Sequence, residues 1–352
     1  MTIFFQYFRH RLERFVQVYI SFLKVLATFK YHLTHISSEI YIMKHTVKIT
    51  LILLSMFFVT QMIGLYVTSI YTPEIQQIVN PETGEITNKT VYNLPYGLEP
   101  PQEIKPQESV ISIIIAFCIA ILLMFLLMKL KAETFLRVWF TIVVILGIAI
   151  CLNAFFIKIP NSTIIAVAVA IPLGILKIFH RNMFVHNGTE LLIYPGIASV
   201  FIPILSIWTV VVLLIIISLY DMYAVWHSGF MQKMAKFQIQ KLKLFSGFFV
   251  PYMKKEDRVK LKQAKTMEAK EKSMKKIKVH LAILGGGDVV FPILLAGVVL
   301  RTLGLWQAII ISIGATLALA YLFHRSEKGK FYPAMPFISV GCLVALGIAY
   351  LI

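Results

Sequence analysis

The sequence predicts an all-α, polytopic membrane protein with nine transmembrane helices. Three observations predict it. Of 352 residues, 58% are hydrophobic and only 14% charged, whereas a soluble domain carries about a quarter of its residues as charges. The apolar residues come in blocks of roughly 20, the length at which a helix crosses ~30 Å of hydrocarbon. The charges gather between those blocks, and the mean hydropathy is +0.79. A net charge of +17 would suggest nucleic acid in a soluble protein. Beside apolar spans it reads instead as topology and attraction to anionic head groups, so membrane lipids, and not nucleic acid, are the expected partners.

The first 46 residues interleave Phe4, Phe8, Phe15, Tyr19, Phe22 and Phe29 with Arg and Lys, a pattern suited to a helix lying on the membrane surface or to a simple anchoring extension. Arg9, Arg11, Glu13 and Arg14 interrupt the stretch and no small-residue cleavage site follows, so no cleavable signal is expected. Spans are predicted over 47–70, 109–129, 135–158, 162–179, 188–204, 205–226, 279–300, 304–323 and 334–352. The fifth is short and holds Pro195, Gly196 and Pro203, which suit a broken or tilted helix. The chain thus divides into the amphipathic basic segment 1–46, the first six helices over 47–226, a basic loop over 227–278, and the last three helices over 279–352. Cys118, Cys151 and Cys342 lie in apolar segments as small core residues, and the histidines show no metal-ligand spacing.

Charge asymmetry sets the orientation. Loop 71–108 carries Glu74, Glu82, Glu85, Glu99, Glu103 and Glu108 against Lys89 and Lys105, while 227–278 carries fifteen Lys or Arg against Glu256, Asp257, Glu268 and Glu271. Cytoplasmic loops hold the Lys and Arg excess. The N-terminus and the 227–278 loop are therefore expected inside, with 71–108 and the C-terminus outside. The second half of 227–278 is expected to be helical and solvated.

Aspartate occurs three times, as Asp221, Asp257 and Asp288, and the first and last lie inside apolar spans. A carboxylate at such a depth costs about 3 kcal/mol on insertion scales and usually faces a partner or a wet cavity. Asp221 lies five residues before the end of the sixth predicted span and Asp288 nine after the start of the seventh. That places both roughly 8–14 Å below the cytoplasmic boundary at 1.5 Å per residue. Two close carboxyls share one proton, so one member can take a proton from water while the other polarises a carbonyl. This pair chemistry suits hydrolysis without a covalent intermediate. A cation channel or transporter that uses the acids for ion coupling, and an inert pair joining two helices, fit the same placement.

The surroundings add three features. Gly285-Gly286-Gly287-Asp288 strips side chains from the backbone before one acid. Tyr220 precedes the other. Pro333-Ala334-Met335-Pro336 opens the last span with backbone groups that lack intrahelical partners.

Together these residues resemble the GxGD aspartyl intramembrane proteases, presenilin and signal peptide peptidase, over roughly 110–352. That family has nine spans, a YD motif in the sixth, GxGD in the seventh and PAL opening the ninth. Tyr220-Asp221 matches the first and Gly285-Gly286-Gly287-Asp288 the second. Pro333-Ala334-Met335 matches the third, with Met335 where Leu is usual, a volume-conserving change. Val289-Val290-Phe291-Pro292 looks like signal peptide peptidase, while the orientation looks like presenilin. The combination resembles the archaeal presenilin homologues. The resemblance implies catalysis by Asp221 and Asp288, a site shaped by Tyr220, Gly285 and Gly287, and substrate positioning by Pro333, Ala334, Met335 and Pro336. It implies no metal or organic cofactor and no obligatory partner subunit. It also implies transmembrane-helix substrates of type I orientation and residence in the plasma membrane of an archaeon.

Overall fold

The computed structural model describes residues 47–79, 86–91, 93–98, parts of 111–130, and 132–180, 182–228, 245–252, 280–326 and 332–352. The segment 1–46 and most of the basic loop, including its expected helical half, lie outside the described residues. Eight helices are described in full. They are α1 (Val47–Ile70), α2 (Glu133–Phe156), α3 (Ser162–Phe179), α4 (Met183–Phe201), α5 (Ile207–Tyr223), α6 (Gly286–Thr302), α7 (Leu305–Arg325) and α8 (Met335–Leu351). The described residues between 111 and 129 are helical as well. By length and composition, five helical segments among the described residues suffice to cross a membrane, and α8 is a shorter apolar helix.

Two antiparallel hairpins interrupt the helices. Strands β1 (Glu74–Val79) and β2 (Ile86–Val91) pair within the acidic connection. Strands β3 (Gly247–Tyr252) and β4 (His280–Gly285) pair with Gly247 opposite Gly285 and Tyr252 opposite His280. The second hairpin changes two expectations. An uncharged stretch of the basic loop, Gly247 to Tyr252, is a strand. The seventh predicted span starts at Gly286, not at 279, because residues 280–285 are extended.

Helix α6 is the centre of the bundle. It touches α1, α4, α5, α7 and α8, and residues 292–299 are buried without a break. A helix apolar on every side belongs in such a position. The outer helices turn large side chains outward instead, such as Leu122, Ile164, Trp306 and Leu317, each at least 65% exposed, as a lipid-facing surface requires. Close packing uses small residues. A Cβ on Gly341 would sit 2.5 Å from Gly314 O, and one on Gly196 would run into Gly147 O.

Helix α4 also differs from expectation. It is continuous through Pro195 and begins at Met183, five residues before the predicted span. Its first turns carry His186, Asn187 and Glu190, whose polarity lowers the hydropathy there. These side chains face β3, not lipid.

Candidate active site

Asp221 lies in the last turn of α5 and is 5% exposed. Its Oδ2 accepts the N–H of Met335, the first residue of α8, at 3.1 Å, and the N–H of Ala334 is a second donor to the carboxyl. The reason lies in the Pro-Ala-Met-Pro sequence. A helix start has four N–H groups without intrahelical partners. Among the first four positions, 334–337, Pro336 has none to give, and Ala334 and Met335 are the two that point at the carboxyl. Asp221 caps them from another helix and meets the positive end of the α8 dipole. One turn further along both helices, Ser218 Oγ lies 2.6 Å from Leu214 O and 2.8 Å from Ser339 Oγ. The α5–α8 seam is therefore polar on the side that holds the acid. Beyond Asp221 the helix widens into a π turn, Ala224–Ser228, a local defect frequent at functional sites. Tyr220 stands beside the acid and is 42% exposed.

Asp288 is the third residue of α6 and is half-buried. Its carboxyl accepts the N–H of Gly285, the residue capping the helix, which supplies the N3-to-N-cap half of a capping box, since glycine has no side chain to return the bond. A Cβ on Gly285 would come within 3.1 Å of Asp288 Oδ2. From α1, the fully buried Gln61 donates Nε2 to Val289 O at 3.1 Å and braces α6 directly after the acid. Helices α5 and α6 pack together, and the two carboxyls act on one another electrostatically. Asp288 sits at a helix start, not two turns inside a helix, because β4 replaces what would have been the first turns of the seventh span, while Asp221 lies near the end of its helix as expected.

The glycine run divides by role. A Cβ on Gly286 would meet Tyr194 OH at 2.6 Å and Ser246 Oγ at 2.9 Å, whereas one on Gly287 would meet nothing nearer than Phe291 at 3.9 Å. Gly286→Ala is therefore expected to destabilise the protein by about 1–3 kcal/mol through overpacking. Gly287→Ala is expected to leave stability unchanged or raise it by up to about 1 kcal/mol. Thermal unfolding of the two variants in detergent checks this, and equal losses would contradict it.

Sequence reasoning singled out Asp221, Asp288, Tyr220, Gly285, Gly287 and the Pro333–Pro336 segment, and the structure gathers these around the facing ends of α5, α6 and α8. It missed a buried polar group on the far side of the glycine run. Lys177 Nζ and Glu190 Oε1 lie 2.5 Å apart with side chains 2% and 1% exposed, and Tyr194 OH stands 3.5 Å from Ser246 Oγ. A cavity of about 260 Å³ opens here, lined by Phe140, Lys177, Glu190, Tyr194 and Gly287 among others. The available signal was an acid and a lysine 13 residues apart, each inside an apolar segment.

The family described as signal-peptide peptidase, presenilin aspartyl protease matches residues 93–352. The chain belongs to this family. It is thus an intramembrane aspartyl protease, a hydrolase and an integral membrane protein, and the family acts on transmembrane proteins. Two solved structures of a presenilin family intramembrane aspartate protease, in the C222 and P2 space groups, share its fold. Identity is 15% to each, with TM-scores of 0.54 and 0.53, covering 86% of this chain and 98% and 97% of those chains. No curated protein matches. The fold and the family leave the ion-channel reading without support.

Proposed function

We propose that this family member cleaves peptide bonds within transmembrane helices, with Asp221 and Asp288 as its catalytic pair. The observation that carries the reading is the convergence of two carboxyls at the facing ends of α5 and α6, each held by backbone N–H groups at a helix start. The ionised member takes a proton from a water molecule, whose oxygen attacks the peptide carbon. The protonated member donates to the carbonyl oxygen. The resulting diol collapses as the amine leaves with a proton from the pair. The pair works as a unit, so neither role belongs to one aspartate.

A strand edge beside Asp288 that no described strand covers supports peptide binding. Gly247 and Phe249 turn their backbone groups to α4, so Phe248 and Val250 turn theirs to Leu284 and Ala282 of β4. Leu281 and Ile283 then direct N–H and C=O away from the hairpin. Among the described residues no strand pairs there. An unwound substrate segment can add to such an edge, and the strand runs directly into Gly285 and the acid. Tyr220, Gly285 and Gly287 would shape the site, and Pro333 to Pro336 would line the substrate's path.

The proposal includes nine spans, a cytoplasmic N-terminus and an outer C-terminus, supported by the Lys and Arg excess of alternate connections. Both acids then lie toward the cytoplasm, and substrates with an outer N-terminus are cut on that side. The test uses purified full-length protein in detergent with a helical transmembrane peptide. Cleavage is expected, and a diol-mimicking inhibitor is expected to block it. Cleavage that survives either Asp221→Ala or Asp288→Ala would overturn the assignment.

A further inference from the structure

Glu190 carries more contacts than an ion pair needs. Its Oε1 takes the Lys177 ammonium and also accepts the N–H of Gly247 at 3.3 Å. On the same helix face, His186 donates Nε2 to Gly247 O at 2.9 Å. Asn187 donates Nδ2 to Phe249 O at 2.9 Å and accepts the Phe249 N–H at 3.2 Å. One turn of α4 thus satisfies the outward backbone groups of Gly247 and Phe249, as a neighbouring strand would. Pro251, the next outward residue of β3, has no N–H to satisfy.

The clamped strand is tied to the acid in register. Gly247 lies opposite Gly285, the cap of α6 that donates to Asp288. Gly247 has φ +138°, and a Cβ there would clash with Leu284 O, so only glycine fits the contact. Tyr194, one turn beyond Glu190, packs edge-on against Phe248 at 5.8 Å and fills the space that a side chain on Gly286 would need. A continuous path of contacts runs from Lys177 through Glu190, Gly247 and Gly285 to Asp288. An intramembrane ion pair is costly and usually retained for function.

We propose that Glu190, held by Lys177, is a positioning residue for Asp288. With His186 and Asn187 it fixes the strand Gly247–Tyr252, and through that strand the turn from Gly285 to Asp288. This rests on the reading of Asp288 as a catalytic acid. Helix α4 therefore acts on catalysis through backbone contacts to the strand.

Two full-length variants separate the hydrogen bond from the charge. Lys177→Met/Glu190→Gln removes the ion pair but keeps an oxygen for the Gly247 N–H. Lys177→Met/Glu190→Leu removes both, and neither variant leaves an unpaired buried charge. Amide hydrogen exchange over residues 281–288, measured without substrate, is expected to rise at least about tenfold in the Leu variant and to stay near wild type in the Gln variant. Peptide cleavage by the Leu variant is expected to lose about 10- to 100-fold in kcat with KM within about twofold, as for a misplaced catalytic group. The Gln variant is expected to recover most of that loss. Equal exchange in the two variants, or equal kcat with normal exchange, would overturn the proposal. If the wild type cleaves no peptide while the exchange difference is present, the protease reading fails and the anchoring of the turn stands.

Discussion

Asp288→Asn is expected to lower peptide cleavage by at least about 10³-fold while the protein keeps its fold, and Asp221→Asn is expected to do the same. Asparagine retains the shape and the accepting oxygen of aspartate. Its carbonyl oxygen can still accept the Gly285 N–H at position 288, or the Met335 N–H at position 221. Each helix cap therefore survives, and the loss of a cap, typically about 1 kcal/mol, is avoided. What asparagine cannot do is exchange a proton near neutral pH. General acid–base catalysis alone contributes about 10²–10⁴-fold, and residues that act as a unit lose nearly all of it when one member goes. Both single variants are thus expected to be as inactive as the double variant. The measurement is the cleavage rate of a transmembrane peptide, with thermal unfolding in detergent as the control. An Asn variant that unfolds as the wild type does and still cleaves within tenfold of it would remove that aspartate from the chemistry.

Much of this was legible in the sequence, for physical reasons that differ between elements. Helices α1 and α3 have the predicted bounds, 47–70 and 162–179, because uninterrupted apolar runs end there at polar or flexible residues. Asp221 and Asp288 stood out because charge is so scarce in the spans. The Pro-Ala-Met-Pro segment was readable as a place where backbone donors lack helical partners, and Asp221 takes those donors. Strand β4 was not legible. His280 to Gly285 is a short apolar run, which periodicity cannot separate from the beginning of a helix. Strand β3 was hidden within a segment whose overall charge reads as solvated loop, although the stretch from Phe245 to Tyr252 carries none. The first turns of α4 looked too polar to be a span. Their polar groups are internal, and only the tertiary partner, the edge of β3, makes sense of them.

The largest effect on stability is expected from breaking the Lys177–Glu190 pair on one side only. Lys177→Met leaves the Glu190 carboxylate 1% exposed, with Oε2 lacking a hydrogen-bond partner. Removing one partner of a buried pair costs about 3–5 kcal/mol, which for a chain of this size corresponds to a fall in Tm on the order of 5–10 °C. His186 Nε2, 3.4 Å from Glu190 Oε1, is the remaining cation available, so the measurement belongs near pH 8, where imidazole is normally neutral. Glu190→Gln is expected to cost less. Lys177 lies in the last turn of α3, where a cation is favoured by the helix dipole, and its four-carbon stem can carry the ammonium toward the membrane boundary. Glu190 has a shorter stem and sits two turns inside α4, without that escape. Lys177→Met/Glu190→Gln is expected to recover most of the stability, since a neutral pair often replaces a buried ion pair at little cost. The predicted order of Tm is therefore Lys177→Met lowest, Glu190→Gln next, and the double variant nearest to wild type. Additive losses in the double variant would mean that the two charges do not act as a pair, and that Glu190 is held by Gly247 and His186 alone.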